Sequence, residues 1–145
     1  MPMQKDEKSS SCRSAAHKTL EQWIAAVEKL SVDDTTRLYT ENALLVPTLE
    51  DGVPNTPATR RAYFEKFLSQ DSLSCKIDLQ VDHASGKDDA VLIGGLYTFE
   101  IIKNRKKEII PARFLFVFEE FDGQWLITGH HSSRQKSVDK TQFLF

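Results

Sequence analysis

The sequence predicts an α+β fold: three N-terminal helices packed on one face of a strongly bent, mostly antiparallel sheet, forming a cone with an internal cavity. Three observations carry this. Apolar residues recur at helical spacing as far as Leu68, the period switches from 3.6 to 2 at Cys75, and the remainder reads as strands joined by short turns. Among those turns, Asp122-Gly123 is the strongest local hairpin signal in the chain.

The elements follow in order. Residues 1–11 are polar, charged and without periodicity, which predicts a disordered tail. From Ser14 to Leu30, the residues Leu20, Trp23, Ile24, Val27 and Leu30 form one stripe of an amphipathic helix. Ser31-Val-Asp-Asp34 ends it and caps a short second helix, with Ser31 as N-cap and Asp34 at the third position. Ala43-Leu-Leu-Val46 is a short strand stopped by Pro47. Thr56-Pro57 starts a third helix, with Pro at its first position and Ala62, Tyr63, Phe64, Phe67 and Leu68 as its apolar stripe. Cys75-Lys-Ile-Asp-Leu-Gln-Val-Asp-His83 alternates apolar with polar residues, so one face of that strand is buried. Strands over Ala90–Lys103, Ile109–Phe121 and Gln124–Ser133 complete a meander, and Gly94-Gly95 in mid-strand marks a bulge or bend.

At 145 residues the chain is one domain, which we place at residues 12–135 with a C-terminal extension over 136–145. A net charge of −2 argues against nucleic-acid binding driven by bulk charge. No apolar run approaches the ~18 residues of a membrane helix, and the start lacks the apolar core of a signal peptide. Cytoplasm is therefore the expected compartment, and Cys12 and Cys75 are expected as free thiols. No Cys/His cluster has metal-ligand spacing, and no cofactor motif is present.

The segments Leu44-Leu-Val-Pro-Thr48, Ala62-Tyr-Phe-Glu-Lys-Phe67, Gly95-Leu-Tyr-Thr-Phe99, Ala112-Arg-Phe-Leu-Phe116 and Asp122-Gly-Gln-Trp-Leu-Ile-Thr-Gly-His-His-Ser-Ser133, in this order and spacing, resemble the SnoaL-like branch of the nuclear-transport-factor-2-like superfamily. Within it they are most similar to stand-alone proteins like the association domain of calcium/calmodulin-dependent protein kinase II. The resemblance covers about Ala15 to Arg134. It implies a cystatin-like α-β-β-α-β-β-β roll, a pocket between sheet and helices, and a homo-oligomer, a dimer, formed through the outer face of the sheet. In the kinase domain the position matching Ser132 is an arginine that lines the pocket, and no kinase domain fits in this chain, so calmodulin-linked function does not carry over. The fold hosts many chemistries and by itself selects none.

Candidate site residues cluster in the last hairpin. If Asp122-Gly123 is a two-residue turn, Phe121 pairs with Gln124, Phe118 with Ile127, Phe114 with His131 and Arg113 with Ser132. Phe114, Phe116, Phe118, Trp125, Ile127 and His131 then share one face, and Arg113, Leu115, His130 and Ser132 the other; a bulge shifts this by one residue. Arg113 stands in an apolar strand, where a guanidinium needs a partner or a polar cavity; it holds either an anionic group of a ligand or a carboxylate such as Glu100. His130 and His131 are candidate general bases, and otherwise serve with Ser132 and Ser133 to shape the pocket rim. Tyr39, Tyr63, Tyr97 and Trp23 either line the cavity or simply pack the core. The basic tip Lys103–Lys107 reads as a solvated hairpin end. The apolar terminus Phe143–Phe145 is expected to dock on the body or on a neighbouring subunit.

Two functions are consistent with this. One is a small-molecule-binding protein or enzyme with an amphipathic ligand, anionic if Arg113 faces inward. The other is a non-catalytic oligomerisation module.

Overall fold

A computed structural model describes residues 5–47 and 50–136. Its elements are α1 (Lys5–Glu28), α2 (Val32–Thr36), β1 (Tyr39–Val46), α3 (Pro57–Phe67), β2 (Ser72–Ala84), β3 (Ala90–Lys103), β4 (Lys106–Phe121) and β5 (Gln124–Arg134). The strands form one sheet in the order β1-β5-β4-β3-β2, with β1 parallel to β5 and the others antiparallel. This is the α+β architecture that the periodicities predict.

α1 begins at Lys5, so most of the expected disordered tail is helix. The reason lies in small residues that a stripe of large ones overlooks. Cys12 and Ala16 extend the line of Leu20, Trp23 and Val27, all five buried, and their small side chains let the helix lie close to the sheet. Two side chains pin it there: Cys12 Sγ donates to Asp88 O at 3.2 Å and Thr19 Oγ1 to Trp125 O at 2.7 Å. Ser31 caps α2, its Oγ accepting from Asp34 N at 3.1 Å. Thr56 caps α3 through a reciprocal box with Thr59, and Pro57 opens that helix.

β2 departs from its simple alternation. Cys75 is buried as expected, as is Leu73 of the longer strand, but the register breaks between Ile77 and Leu79. Beyond the break Leu79 and Val81 face outward, while Gln80 and Asp82 turn inward to meet His17 of α1. Gly95 stands opposite the irregularity, where a Cβ would lie 1.9 Å from Leu79 O. Only glycine admits that approach, and the bend lets the sheet curl around α1. The core fills the concave side, with Trp23, Tyr97, Phe64, Phe116 and Phe118 fully buried. The terminus Phe143–Phe145 lies outside the described residues.

Candidate functional site

The hairpin of β4 and β5 is in the expected register from Phe121 opposite Gln124 to Phe118 opposite Ile127. There Thr128 is inserted as a bulge, and Val117 pairs with Gly129. Every later residue of β5 changes face. His130 and Ser132 therefore point into the cone beside Phe116 and Phe114, and His131 and Ser133 point out. Without the bulge His131 would share the inner face with Phe114 and Phe116; with it, His130 does.

His130 is buried and holds a hydrogen bond at each ring nitrogen. Tyr39 Oη lies 2.8 Å from Nδ1 and Tyr97 Oη 3.3 Å from Nε2. Trp23 Nε1 donates to Tyr39 Oη at 3.0 Å, and Tyr97 Oη donates to Ser132 Oγ at 2.7 Å. An indole N–H can only donate, which sets the direction of the chain. Tyr39 accepts from Trp23 and gives its own proton to Nδ1; the Nε2–H then donates to Tyr97, which donates to Ser132. The imidazole stacks on Phe116, with ring centroids 3.9 Å apart. Burial, with a smaller contribution from His131, pushes His130 down to about 3. It is neutral near pH 7 and a weak base. Burial likewise raises Tyr39 and Tyr97 well above the usual phenol range.

Tyr97, His130 and Ser132 form the polar end of an otherwise apolar cavity between α1, α3 and the sheet. Its walls are Trp23, Phe64, Phe67 and Phe99, with Leu45, Pro47, Tyr63 and Ile110 completing the lining. The open space is about 20 Å³, enough for roughly one water. No lining residue carries a formal charge at neutral pH. Leu45, Pro47, Phe99 and Ile110 are lining residues that the sequence did not single out, because alternate strand positions look alike until the bend selects those that converge.

Arg113 does not reach this cavity. It is exposed on the convex face of the sheet, where its Nε donates to Ser133 Oγ at 3.3 Å. Nor does it pair with Glu100, which instead meets Lys107 at 2.9 Å. The buried guanidinium is that of Arg60, one turn before Phe64 on the inner stripe of α3. Its Nη1 donates to Ala43 O at 2.7 Å and its Nη2 to Thr40 O and Glu41 O at 2.8 and 2.7 Å. These carbonyls belong to the part of β1 where pairing with β5 is interrupted. Arg60 thus completes the hydrogen bonding of a broken edge strand, which no spacing rule in the sequence signals.

Helices closing the concave side of a curled sheet, around a pocket with a polar end, define an α+β cone of the nuclear-transport-factor-2-like kind. A protein of that superfamily from Salmonella enterica superposes with a TM-score of 0.79 at 12% identity, over 93% of this chain and 99% of its own. A hexachlorocyclohexane dehydrochlorinase, LinA type 2, superposes at 0.74 with 13% identity, over 91% of this chain and 90% of its own. At such identities the likeness is one of fold. Residues 13–136 match the model of the calcium/calmodulin dependent protein kinase II association domain, and the chain belongs to that family. A Xanthomonas campestris protein assigned to the same domain is 33% identical, with a TM-score of 0.77 over 82% of this chain and 84% of its own. No curated protein sequence matches the chain.

Proposed function

We propose that this protein is an association module whose copies meet through the convex face of the sheet. The observation that carries this reading is an apolar band running across the strands in register. One row is Val46, His131, Leu115, Gly94 and Val81; the neighbouring rows add Leu44 and Val117 on one side and Leu96 and Leu79 on the other. Val81 is 66% exposed, Leu44 and Leu79 53% each, and Leu115 40%. A continuous apolar face of this kind marks an interaction surface rather than scattered exposure. The membership in an association-domain family supports the same reading, and Arg113 and His131 then belong to the contact rather than to a pocket.

The test is sedimentation velocity on the full chain and on Leu115→Glu. A dimer is expected for the wild type and a monomer for the variant, because a carboxylate at the centre of the row loses its hydration in the contact. A wild type that is monomeric at micromolar concentration refutes the reading.

A second reading rests on the Tyr97–Ser132 end of the cavity: a binding site for a small uncharged ligand with one hydrogen-bonding group. The absence of charge from the lining supports neutral over anionic ligands. The open space is that of roughly one water, so anything larger needs the lining side chains to move. Thermal-shift measurements with small phenols and aromatic alcohols, against the matching carboxylates, test it. The neutral set is expected to stabilise the wild type and to lose that effect in Ser132→Ala; no stabilisation by any neutral compound refutes it.

A further inference from the structure

We propose that the basic end of the sheet binds a phosphate monoester, its phosphate held between Lys103 and Lys106. The observation that carries this is an unrelieved pair of like charges. Lys103 and Lys106 are the last pair of the β3–β4 hairpin, directly opposite each other. Stepping by twos along their strands reaches the buried Ile101 and Ile110, so both lysines project from the concave face. Like charges facing each other across two strands destabilise the pairing. Among the described residues neither lysine has an ion-pair partner. The carboxylates nearby are engaged elsewhere. Glu100 meets Lys107 at 2.9 Å, Glu108 meets Arg134 at 3.0 Å, and Asp71 accepts from Asn104 N at 2.9 Å.

The hairpin end is also anchored, which a merely solvated tip is not. Besides holding Asn104, Asp71 donates its own backbone N–H to Ile102 O at 2.8 Å. Asn104 and Arg105 adopt φ of 53° and 66°, the left-handed values of a tight two-residue turn. The two lysines therefore leave a fixed backbone. With Asn104, Lys107, Arg134 and Gln70 they wall a groove of about 650 Å³, within the size range of small-molecule sites. Among the described residues Ile110 alone lines both this groove and the cavity, so the two are separate sites.

Two opposed ammonium groups match a compact group with two negative charges. A phosphate monoester carries about −1.5 to −2 near pH 7 and offers three acceptor oxygens, enough to answer both lysines. A carboxylate or a sulfate ester brings a single charge and leaves the repulsion half relieved. The rest of the groove admits an organic group on the phosphate. The opposite end of the sheet, formed by the β2–β3 and β4–β5 turns, carries Asp88, Asp89, Glu119, Glu120 and Asp122. The field of the molecule thus steers an anion to the basic end. The lysines stand on the concave face, so each copy keeps the site when two meet through the convex face.

Titration calorimetry on the full chain with phenyl phosphate and phenyl sulfate tests this, at about 0.05 M salt where screening is modest. Phenyl phosphate is expected to bind at least tenfold tighter than phenyl sulfate. Lys103→Gln with Lys106→Gln is expected to weaken it at least tenfold. Lys8→Gln with Lys87→Gln, which removes the same charge away from the groove, is expected to bind like the wild type. Lys103→Glu turns the repelling pair into an attracting one. It is expected to abolish phosphate binding yet raise the melting temperature, which separates a lost site from a damaged fold. Phosphatidylcholine vesicles with and without phosphatidylinositol 4-phosphate distinguish the source of the ester. Co-sedimentation only with the phosphorylated lipid identifies a lipid headgroup, and phenyl phosphate binding without co-sedimentation identifies a soluble ester. No binding of phenyl phosphate, equal affinity for the sulfate, or a Lys103→Gln, Lys106→Gln variant that binds like the wild type overturns the proposal.

Discussion

His130 and Arg60 show how burial decides what a side chain can do. An imidazolium inside the cone loses its hydration, and the groups that hold His130 are phenols, which form good hydrogen bonds to the neutral ring. Its folded value of about 3 lies below the ordinary 6.5, so the unfolded chain takes up the proton first. Stability is therefore fully present above about pH 6.5 and declines as the pH falls toward 3, by on the order of 1.4 kcal/mol per unit. In urea titrations at about pH 7 and about pH 5, His130→Phe is expected to lose this share of the acid sensitivity. It is also expected to cost ~1–3 kcal/mol at pH 7, because Tyr39 and Tyr97 each lose a buried partner. Equal acid slopes in both proteins refute the assignment. Both histidines were legible as candidates, but which one faces inward was not. The sequence likewise drew attention to Arg113, an arginine in an apolar strand, whereas the buried arginine is Arg60, in a helix rich in charge. Its partners are backbone carbonyls, and carbonyls leave no trace in residue identities.

Among the elements, the caps and turns were readable because they depend on a few adjacent residues: Ser31 to Asp34, Thr56 to Thr59 and Asp122-Gly123 all form locally. The strands were readable in type but not in facing, nor in full extent, since β1 begins at Tyr39 and not at Ala43. One extra residue at Thr128 moves His130 to the inside, and one irregularity between Ile77 and Leu79 moves Leu79 and Val81 to the outside. A bulge costs little and leaves the alternation of the sequence intact, so the pattern cannot reveal it. The bend at Gly95 depends on the second of these. Gly95→Ala places a methyl 1.9 Å from Leu79 O and forces the edge strand away. We expect a loss of roughly 1–3 kcal/mol in thermal or urea unfolding, of the size seen for overpacked sites. A melting temperature equal to the wild type shows that β2 yields freely there.

Across the whole molecule, apolar surface and charge are partitioned by geometry. The concave side is filled by aromatic rings, the convex side carries an apolar band, and the two ends of the sheet carry opposite charge. A net charge of −2 conceals this arrangement, because the sum retains no record of position. If copies meet through the convex face, dissociation accompanies unfolding, and the melting temperature rises with protein concentration. Leu115→Glu is expected to abolish that dependence while the domain still unfolds cooperatively, which distinguishes a lost contact from a damaged core.

The fold class, the sites of the caps and turns, and the candidate pair of adjacent histidines follow from residue identities alone. Periodicity and capping are short-range properties, set by residues a few positions apart. That His130 lies within the cone and His131 outside, that Arg60 is buried and Arg113 exposed, and that the cavity is uncharged emerge from packing. Those outcomes depend on two irregularities in the sheet and on a helix packed across it. Facing in a sheet accumulates along the strand, so a single added residue reverses every side chain that follows it.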